Sequence, residues 1–484
     1  MIPAQSSLLT DQEVEATHQA SLEILDRVGL EVHNSRAREI YKRHGAQLTD
    51  DLRVTLPPSV VEEFLSATPP SFTFRARDPE LDRVVPEEGP LVITASSAPD
   101  IVDPVTGKVR RGTSADIARI AKLVDLLPGI DLLSVPVLAN DAPDGQYSVT
   151  RFYTALKNCR KPIRGSGDPG VDSESILRMA FDIAGSEGAY RDHPFITHHF
   201  CPIISPLKMD ENSTELLLFY TEEGLPSHPT VVPNAGLSSP LTLAATLAQG
   251  NAEFLALAAL TQMVKPGTET LYSSLSTVGD MRTGAYAPGG VECGMLNMAH
   301  AQMARHYDIP SSGYIGLTNS KVVDAQAGFE KAMSCMGGVL AGMNVLQFAG
   351  LLDALMTFDF GMAVVDDEIA QMLKRVHRGM EVTESNLAVD EIAEIGPAGM
   401  FVSTKRTHKM MRETAILPKV ADRQVRQIWE ESGSEDAHAR GLRLARKLLS
   451  GADATSLLPP EAEQRVRASF EGLVSGDFTM PEGW

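Results

Sequence analysis

The chain has 484 residues, 43% hydrophobic and 22% charged, the make-up of a globular protein with a sizeable core rather than a disordered or fibrous one. Its 43 basic against 63 acidic residues leave a net charge of −20, which repels phosphate backbones and anionic lipid and so argues against nucleic acid or membrane partners. Four cysteines without a CxxC pair (Cys159, Cys201, Cys293, Cys335) and an N-terminus without a basic-then-apolar leader point to reduced thiols in a cytoplasmic protein.

Residues 1–90 read as a helical lead-in. Thr10 and Glu13 fit a capping box ahead of the apolar face Val14, Leu22, Leu25 and Val28, which stops at Gly29. A second helix is expected from Asn34 to Gly45, and a third opens at Pro57-Pro58, where proline suits a first turn. The segment SFTFRAR alternates as a strand does.

A different rhythm starts near residue 91. Short apolar runs recur at LVITAS (91–96), DLLSVPVL (131–138), KPIRGS (161–166), PFITHHFC (194–201), PTVVPNAG (229–236), ETLYSSLS (269–276), SSGYIGLT (311–318) and MNVLQFAG (343–350), with helix-period stretches between them. Eight β/α units of this size predict an α/β fold, a (β/α)8 TIM barrel over 91–380, with helical extensions at 1–90 and 381–484. No GxGxxG turn follows the first run, and GSGDPG (165–170) lacks a phosphate-binding lysine, so it reads as a loop. The charge-free stretch 332–352 has the length of a membrane span. Its five glycines, Asn344 and Gln347 instead fit a buried helix running into a buried strand.

In such a barrel the site lies where the strands end. That nominates Ser96, Ser97 and Asp100; Asn140 and Asp141; Arg164 and Ser166; His198, His199 and Cys201; Asn234; Tyr272, Ser273 and Asp280; Tyr314, Thr318 and Asn319; Gln347 and Phe348; and Phe358 and Phe360 beyond. His199-x-Cys201 would fall on one side of a strand and could bind zinc, with Cys293 or Cys335 as a third ligand, although ordinary packing accounts for the same pair. Neither HExxH nor GxSxG occurs.

The blocks TNSKVVDAQAGFEKAMSCMGGVLAGMNVLQFAGLLDALMTFDFGMAVVDDEIAQMLKRV and STVGDMRTGAYAPGGVECGMLNMAHAQMARHYDIP resemble the trimethylamine methyltransferase family, as do DPVTGKVRRGTSADIARIAKLVDLLPGIDLL and EIGPAGMFVSTKRTHKMMRE. The resemblance implies a TIM barrel enzyme that passes a methyl group from an amine to the cobalt of a separate corrinoid protein. Because the chain holds only the twenty standard residues, it resembles the branch without pyrrolysine, which acts on glycine betaine or other quaternary amines; the pyrrolysine-equivalent position is expected between Tyr314 and Gln326.

A quaternary ammonium already carries a neutral amine as leaving group, so attack by Co(I) calls for no general acid, and no catalytic side chain is assigned. Recognition would combine aromatic faces (Tyr272, Tyr314, Phe348, Phe358, Phe360) or counter-charges (Asp100, Asp280) for the cation with donors to a betaine carboxylate (His199, Asn234, Ser273, Gln347). The chain shows no DxHxxG-like cobalamin motif, so it is expected to bind no cofactor tightly and to receive the corrinoid protein as a partner; a homo-oligomer is expected. A zinc-dependent methyltransferase using His199 and Cys201, and a non-catalytic betaine binder, are the alternatives.

Overall fold

A computed structural model describes residues 6–49, 52–87, 89–167 and 171–484. The fold is mixed α/β. Eight short parallel strands organise it: β1 (Leu91–Thr94), β2 (Leu133–Ser134), β3 (Ile163–Gly165), β4 (Ile196–Phe200), β5 (Ser227–Pro229), β6 (Tyr272–Ser274), β7 (Ser311–Gly313) and β8 (Val345–Ala349). They form two four-stranded sheets in the orders β5-β4-β3-β2 and β6-β7-β8-β1, and isolated parallel bridges pair Ile93 with Leu132 and Val231 with Ser274. Register is set by pairs such as Ile163 with Ile196 and Val345 with Leu91.

All eight apolar runs therefore contain or adjoin a strand. Parallel neighbours cannot be joined by a tight turn, and a helix follows each strand, from Ser114–Leu126 after β1 to Phe360–Arg378 after β8. Four of these helices start on side-chain caps. The Thr113 and Asp116 capping box, Asp210, Asp324 and Asp359 each satisfy backbone donors that the first turn leaves open. The fifth run departs from expectation. Its strand ends at Pro229, and Asn234–Ala235 pairs instead with Thr277–Asp280 in a separate small sheet, because Pro229 and Pro233 have no N–H to continue the ladder.

The first ninety residues contain the expected helices, Asp11–Glu23 (continued by a wider turn to Val28), Ser35–Arg43 and Pro58–Leu65. They also contain strands. Leu30–Val32 lies antiparallel to Arg53–Thr55 and parallel to Lys208–Met209, which ties this segment into the middle of the chain. The hairpin Phe72–Phe74 with Arg83–Val85 covers the N-terminal ends of the eight strands, where Phe72, Phe74 and Val85 cluster with Leu91, Ile93, Leu132, Leu271 and Val345.

The charge-free stretch 332–352 is the end of helix Ala325–Leu340 followed by β8, as expected, but the helix is not wholly buried: Phe329 and Met333 stand on an exposed face. The one helix among the described residues long and apolar enough to cross a membrane is Leu243–Val264, and 83% of its most apolar window is packed inside the protein. At the C-terminal end, Ala437–Ser450 packs on Phe360–Arg378, and the Trp484 ring meets Phe360 at 5.4 Å.

Candidate active site

Successive residues of a strand face opposite sides, so each strand sends one parity of side chains towards the same space. Here that parity is polar. Ser134 of β2, Arg164 of β3, His199 of β4, His228 of β5, Ser273 of β6, Ser312 of β7 and Gln347 of β8 meet in one hydrogen-bonded cluster, where a packed core would place Val, Ile and Leu.

Arg164 is its centre and is fully buried. Nη1 donates to His228 Nδ1 at 2.9 Å; Nη2 donates to Gln347 Oε1 at 2.5 Å, to Ser134 Oγ at 3.2 Å and to the Tyr314 hydroxyl at 3.5 Å. Gln347 passes the chain on to Ser312 Oγ. Every partner is neutral. Among the described residues no carboxylate lies within salt-bridge distance of this guanidinium, so none of them compensates its charge. Burial pushes its pKa down from the ordinary arginine value, yet a guanidinium stays charged.

Above this cluster opens a cavity of about 750 Å³ at the C-terminal ends of the strands. Ser96 and Ser97 after β1, Ser166 after β3, His199, Phe200 and Cys201 of the fourth run, Tyr314 after β7 and Leu355 after β8 line it, and Asp210, Asn212 and Ser213 close one side. Tyr314 joins floor to cavity. Its hydroxyl lies 3.3 Å from both Ser96 Oγ and His199 Nε2, as well as accepting from Arg164. His199 Nε2 also reaches Thr230 Oγ1 at 3.1 Å, and Thr230 meets Ser273 at 2.8 Å.

Two segments of the wall are locally constrained. Asp353, Ala354 and Leu355 all adopt positive φ (50°, 53° and 77°), a conformation costly for residues with a Cβ. Backbone bonds from Asp353 N to Ser320 O and from Ala354 N to Thr318 O, both 2.8 Å, hold this turn on the loop after β7. Asp210, in turn, caps helix Glu211–Glu222 by accepting from Ser213 N at 2.8 Å, which fixes a carboxylate beside the cavity.

The two histidines, Cys201 and Tyr314 are held in uncharged forms. Burial, and then the charge of Arg164, keeps His199 and His228 well below the usual histidine range. Burial pushes the Cys201 thiol up to about 11 and raises the Tyr314 phenol, against the pull of Arg164. A neutral thiol and imidazole do not make a poised acid and base. The site is built to bind and orient a ligand over a buried positive charge, with the Asp210 carboxylate at its side.

Of the residues nominated from sequence, Ser96, Ser97, Ser166, His199, Cys201 and Tyr314 line the cavity, and Arg164, Ser273 and Gln347 lie in the cluster below. The aromatic cage does not assemble. Tyr272 faces the helix layer, bonded to Asn251 and His300 and packed on Phe254. Phe348 lies beneath Lys331 Nζ, and Phe358 and Phe360 pack on each other at 5.4 Å; none of them lines the cavity. Asp100 pairs with Arg111 at 3.1 Å and Asp280 with Arg282 at 2.6 Å, so neither is a counter-charge for a ligand there. Asn234 belongs to the small outer sheet, His198 stacks on Tyr220 at 3.6 Å, Asp141 caps Ser114, and Asn140 donates to Gly112 O. Thr318 and Asn319 are bound to Glu330.

The zinc reading also fails on geometry. Cys293 Sγ donates to Ala287 O and Cys335 Sγ to Ile315 O, away from Cys201, and among the described residues no three His, Cys, Asp or Glu side chains converge as metal ligands. The GSGDPG run lies partly outside the described residues, its first residues continuing β3 towards the cavity. Sequence reasoning missed Phe200, Asp210, Thr230 and Leu355. Strand parity pointed to none of them, although Asp210 carries a helix-cap signal directly after the fourth run.

A family profile described as trimethylamine methyltransferase matches residues 2–470. A glycine betaine methyltransferase of Desulfitobacterium hafniense (strain Y51) is 32% identical over 97% of this chain and 96% of its own length. The chain belongs to the trimethylamine methyltransferase family. Within it, a trimethylamine methyltransferase of Desulfitobacterium hafniense (strain DSM 10664 / DCB-2) is 30% identical over 96% of this chain and 92% of its own length. The solved monomethylamine methyltransferase of Methanosarcina barkeri covers 98% of this chain and is itself covered to 96%, at 12% identity and a TM-score of 0.48. Family membership makes this protein a methyltransferase, and the cavity over Arg164 is its candidate active site. Of the window 314–326, the cavity lining includes Tyr314.

Proposed function

We propose that this methyltransferase takes a methyl group from a zwitterionic quaternary amine, glycine betaine being the simplest, and delivers it to the Co(I) centre of a separate corrinoid protein. One observation carries the reading: a fully buried arginine under the cavity floor whose partners among the described residues are all neutral. Such a charge repels a bare quaternary cation and attracts a carboxylate. A betaine would therefore enter with its carboxylate towards Tyr314, His199 and Ser96 and its ammonium group near the mouth.

At the mouth the Phe200 and Tyr314 rings and the Asp210 carboxylate suit the cation, each aromatic contact contributing about 0.5–2 kcal/mol. The corrinoid supplies a strongly nucleophilic cobalt that accepts the methyl group, and the substrate leaves as a tertiary amine. This chain's part is to hold the carboxylate, aim one N–CH3 bond outward and exclude water, a contribution worth up to about 7–11 kcal/mol in favourable cases. No side chain has to deliver a proton, which agrees with the neutral states of His199, Cys201 and Tyr314.

The fold that supports this is read as a closed (β/α)8 barrel over about 91–380, with additions at 1–90 and 381–484. Its support is the pair of bridges Ile93–Leu132 and Val231–Ser274, which link the free edges of the two sheets. The test is methyl-cobalt formation, followed by absorbance, with a competent Co(I) corrinoid protein and a panel of glycine betaine, carnitine, choline, tetramethylammonium and trimethylamine. Transfer from the carboxylate-bearing amines and little from choline or tetramethylammonium is expected. Absence of transfer from every quaternary amine, or equal transfer from choline, would overturn the reading.

A further inference from the structure

Helix Phe360–Arg378 runs from the cavity side of the molecule to the opposite side. At its start Asp359 N donates to Gly350 O, just past β8; at its end Lys374 Nζ lies 2.7 Å from Asp131, just before β2, and His377 packs over Gly89, just before β1. The chain that follows therefore leaves from the face opposite the cavity. From 380 to 419 no residue is buried, although the segment forms helices Glu384–Leu387, Val389–Ile395 and Lys405–Thr414. Met380 is 87% exposed, Val382 76%, Met400 72% and Val389 67%.

A forty-residue segment, about half of it helical, that lacks a core cannot offset an ordering cost of about 1–2 kcal/mol per residue. The exposed apolar side chains amount to on the order of 1,000 Å², more than the roughly 800 Å² per partner of a standard stable interface. Charge is divided along the same segment. Residues 380–395 hold five carboxylates and no lysine or arginine, whereas Lys405, Arg406, Lys409 and Arg412 follow with no carboxylate among them up to 412. Arg406 meets Glu391 at 3.5 Å within the chain; among the described residues Lys405, Lys409 and Arg412 have no such partner.

We propose that residues 380–419 are the face by which two copies of this chain associate about a twofold axis, the acidic half of each against the basic half of the other. A surface whose two halves complement each other is what a twofold contact requires, since each half meets the other half of its copy. The methyl-accepting partner is not the occupant. It has to reach the cavity on the opposite face, and as a transient partner it would leave this apolar surface bare between encounters. The proposal stands apart from the choice of substrate.

Native mass spectrometry and light scattering of the full chain at micromolar concentration test it, with two surface variants, Glu384→Lys/Glu394→Lys and Lys405→Glu/Lys409→Glu. Wild type is expected to be dimeric or a higher even-numbered assembly. Each variant alone is expected to dissociate while keeping wild-type circular dichroism and betaine binding, and mixing the two is expected to restore association. Cross-links between isotopically light and heavy wild-type copies should join 380–395 to 405–412. A monomeric wild type, variants that associate as wild type does, cross-links confined to single copies, or loss of methyl transfer to the corrinoid protein with the assembly intact would each overturn it.

Discussion

Nη1 of Arg164 lies 2.9 Å from Nδ1 of His228, and both side chains are fully buried. A guanidinium has only donors, so Nδ1 must accept and the imidazole proton sits on Nε2, which has no hydrogen-bond partner among the described residues. The contact thus sets the tautomer of the histidine and bars it from taking a second proton. The arginine, in turn, is left with its charge directed at the cavity through Tyr314.

Acid should destabilise the protein from an unusually high pH. Burial holds His198 and His300 down to about 3, and burial with Arg164 holds His199 and His228 well below 6.5. The unfolded chain protonates these rings below about 6.5 and the native one does not. Stability present above that pH is lost as the pH falls, by up to about 1.4 kcal/mol per pH unit for each ring. Asp366, pushed up to about 6 by burial, works the other way, as do Asp367 and Glu253, raised by burial, and His438, raised by Asp359; His18 and His377, lowered by burial, add to the four rings. Denaturant midpoints at pH 7.5 and 5.5 should differ accordingly; equal midpoints would contradict the burial of neutral histidines.

Replacing Arg164 by Gln removes the charge and keeps part of the hydrogen bonding. A charge acting over this range in a partly screened interior is worth on the order of 2 kcal/mol to an anionic ligand. The variant should lose about 30-fold in kcat/KM for glycine betaine and much less for a carboxylate-free amine. A uniform loss across both would mean that the arginine serves packing alone.

Tyr314→Phe keeps the ring and deletes the hydroxyl that meets Arg164, His199 and Ser96. A lost hydrogen bond among buried groups costs about 1–3 kcal/mol. Betaine affinity by calorimetry should weaken by roughly tenfold or more, while the cation-binding ring face remains. Unchanged affinity would remove Tyr314 from the carboxylate side of the site.

Away from the cavity, Lys331 and Asp366 form a wholly buried pair, Nζ to Oδ2 at 3.1 Å, with Gly350 N also donating to that oxygen. Lys331→Met strands the carboxylate and should cost about 3–5 kcal/mol. Adding Asp366→Asn keeps an acceptor for Gly350 and removes the charge, so the double variant should recover most of the loss. Urea unfolding of the single and double variants measures this; additive losses would show that the pair is not coupled.

Local chemistry was legible in the residues themselves. The Thr10 and Glu13 capping box, the proline-led helix at Pro58 and the eight strand-and-helix alternations depend on neighbours a few positions away, and each forms at or close to its expected place. The long ordered blocks that resemble the trimethylamine methyltransferases likewise needed no coordinates, and family membership bears that resemblance out. The aromatic cage did not survive because orientation on a strand turns on a single residue of parity. Tyr272 points into the helices while Ser273 beside it joins the cluster, and Phe348 turns away while Gln347 turns in. Only the tertiary structure could decide that, and only it could reveal that Arg164 has no counter-ion among the described residues. A pairing of that kind depends on side chains drawn from several strands scattered over more than two hundred residues, and no local pattern encodes their convergence.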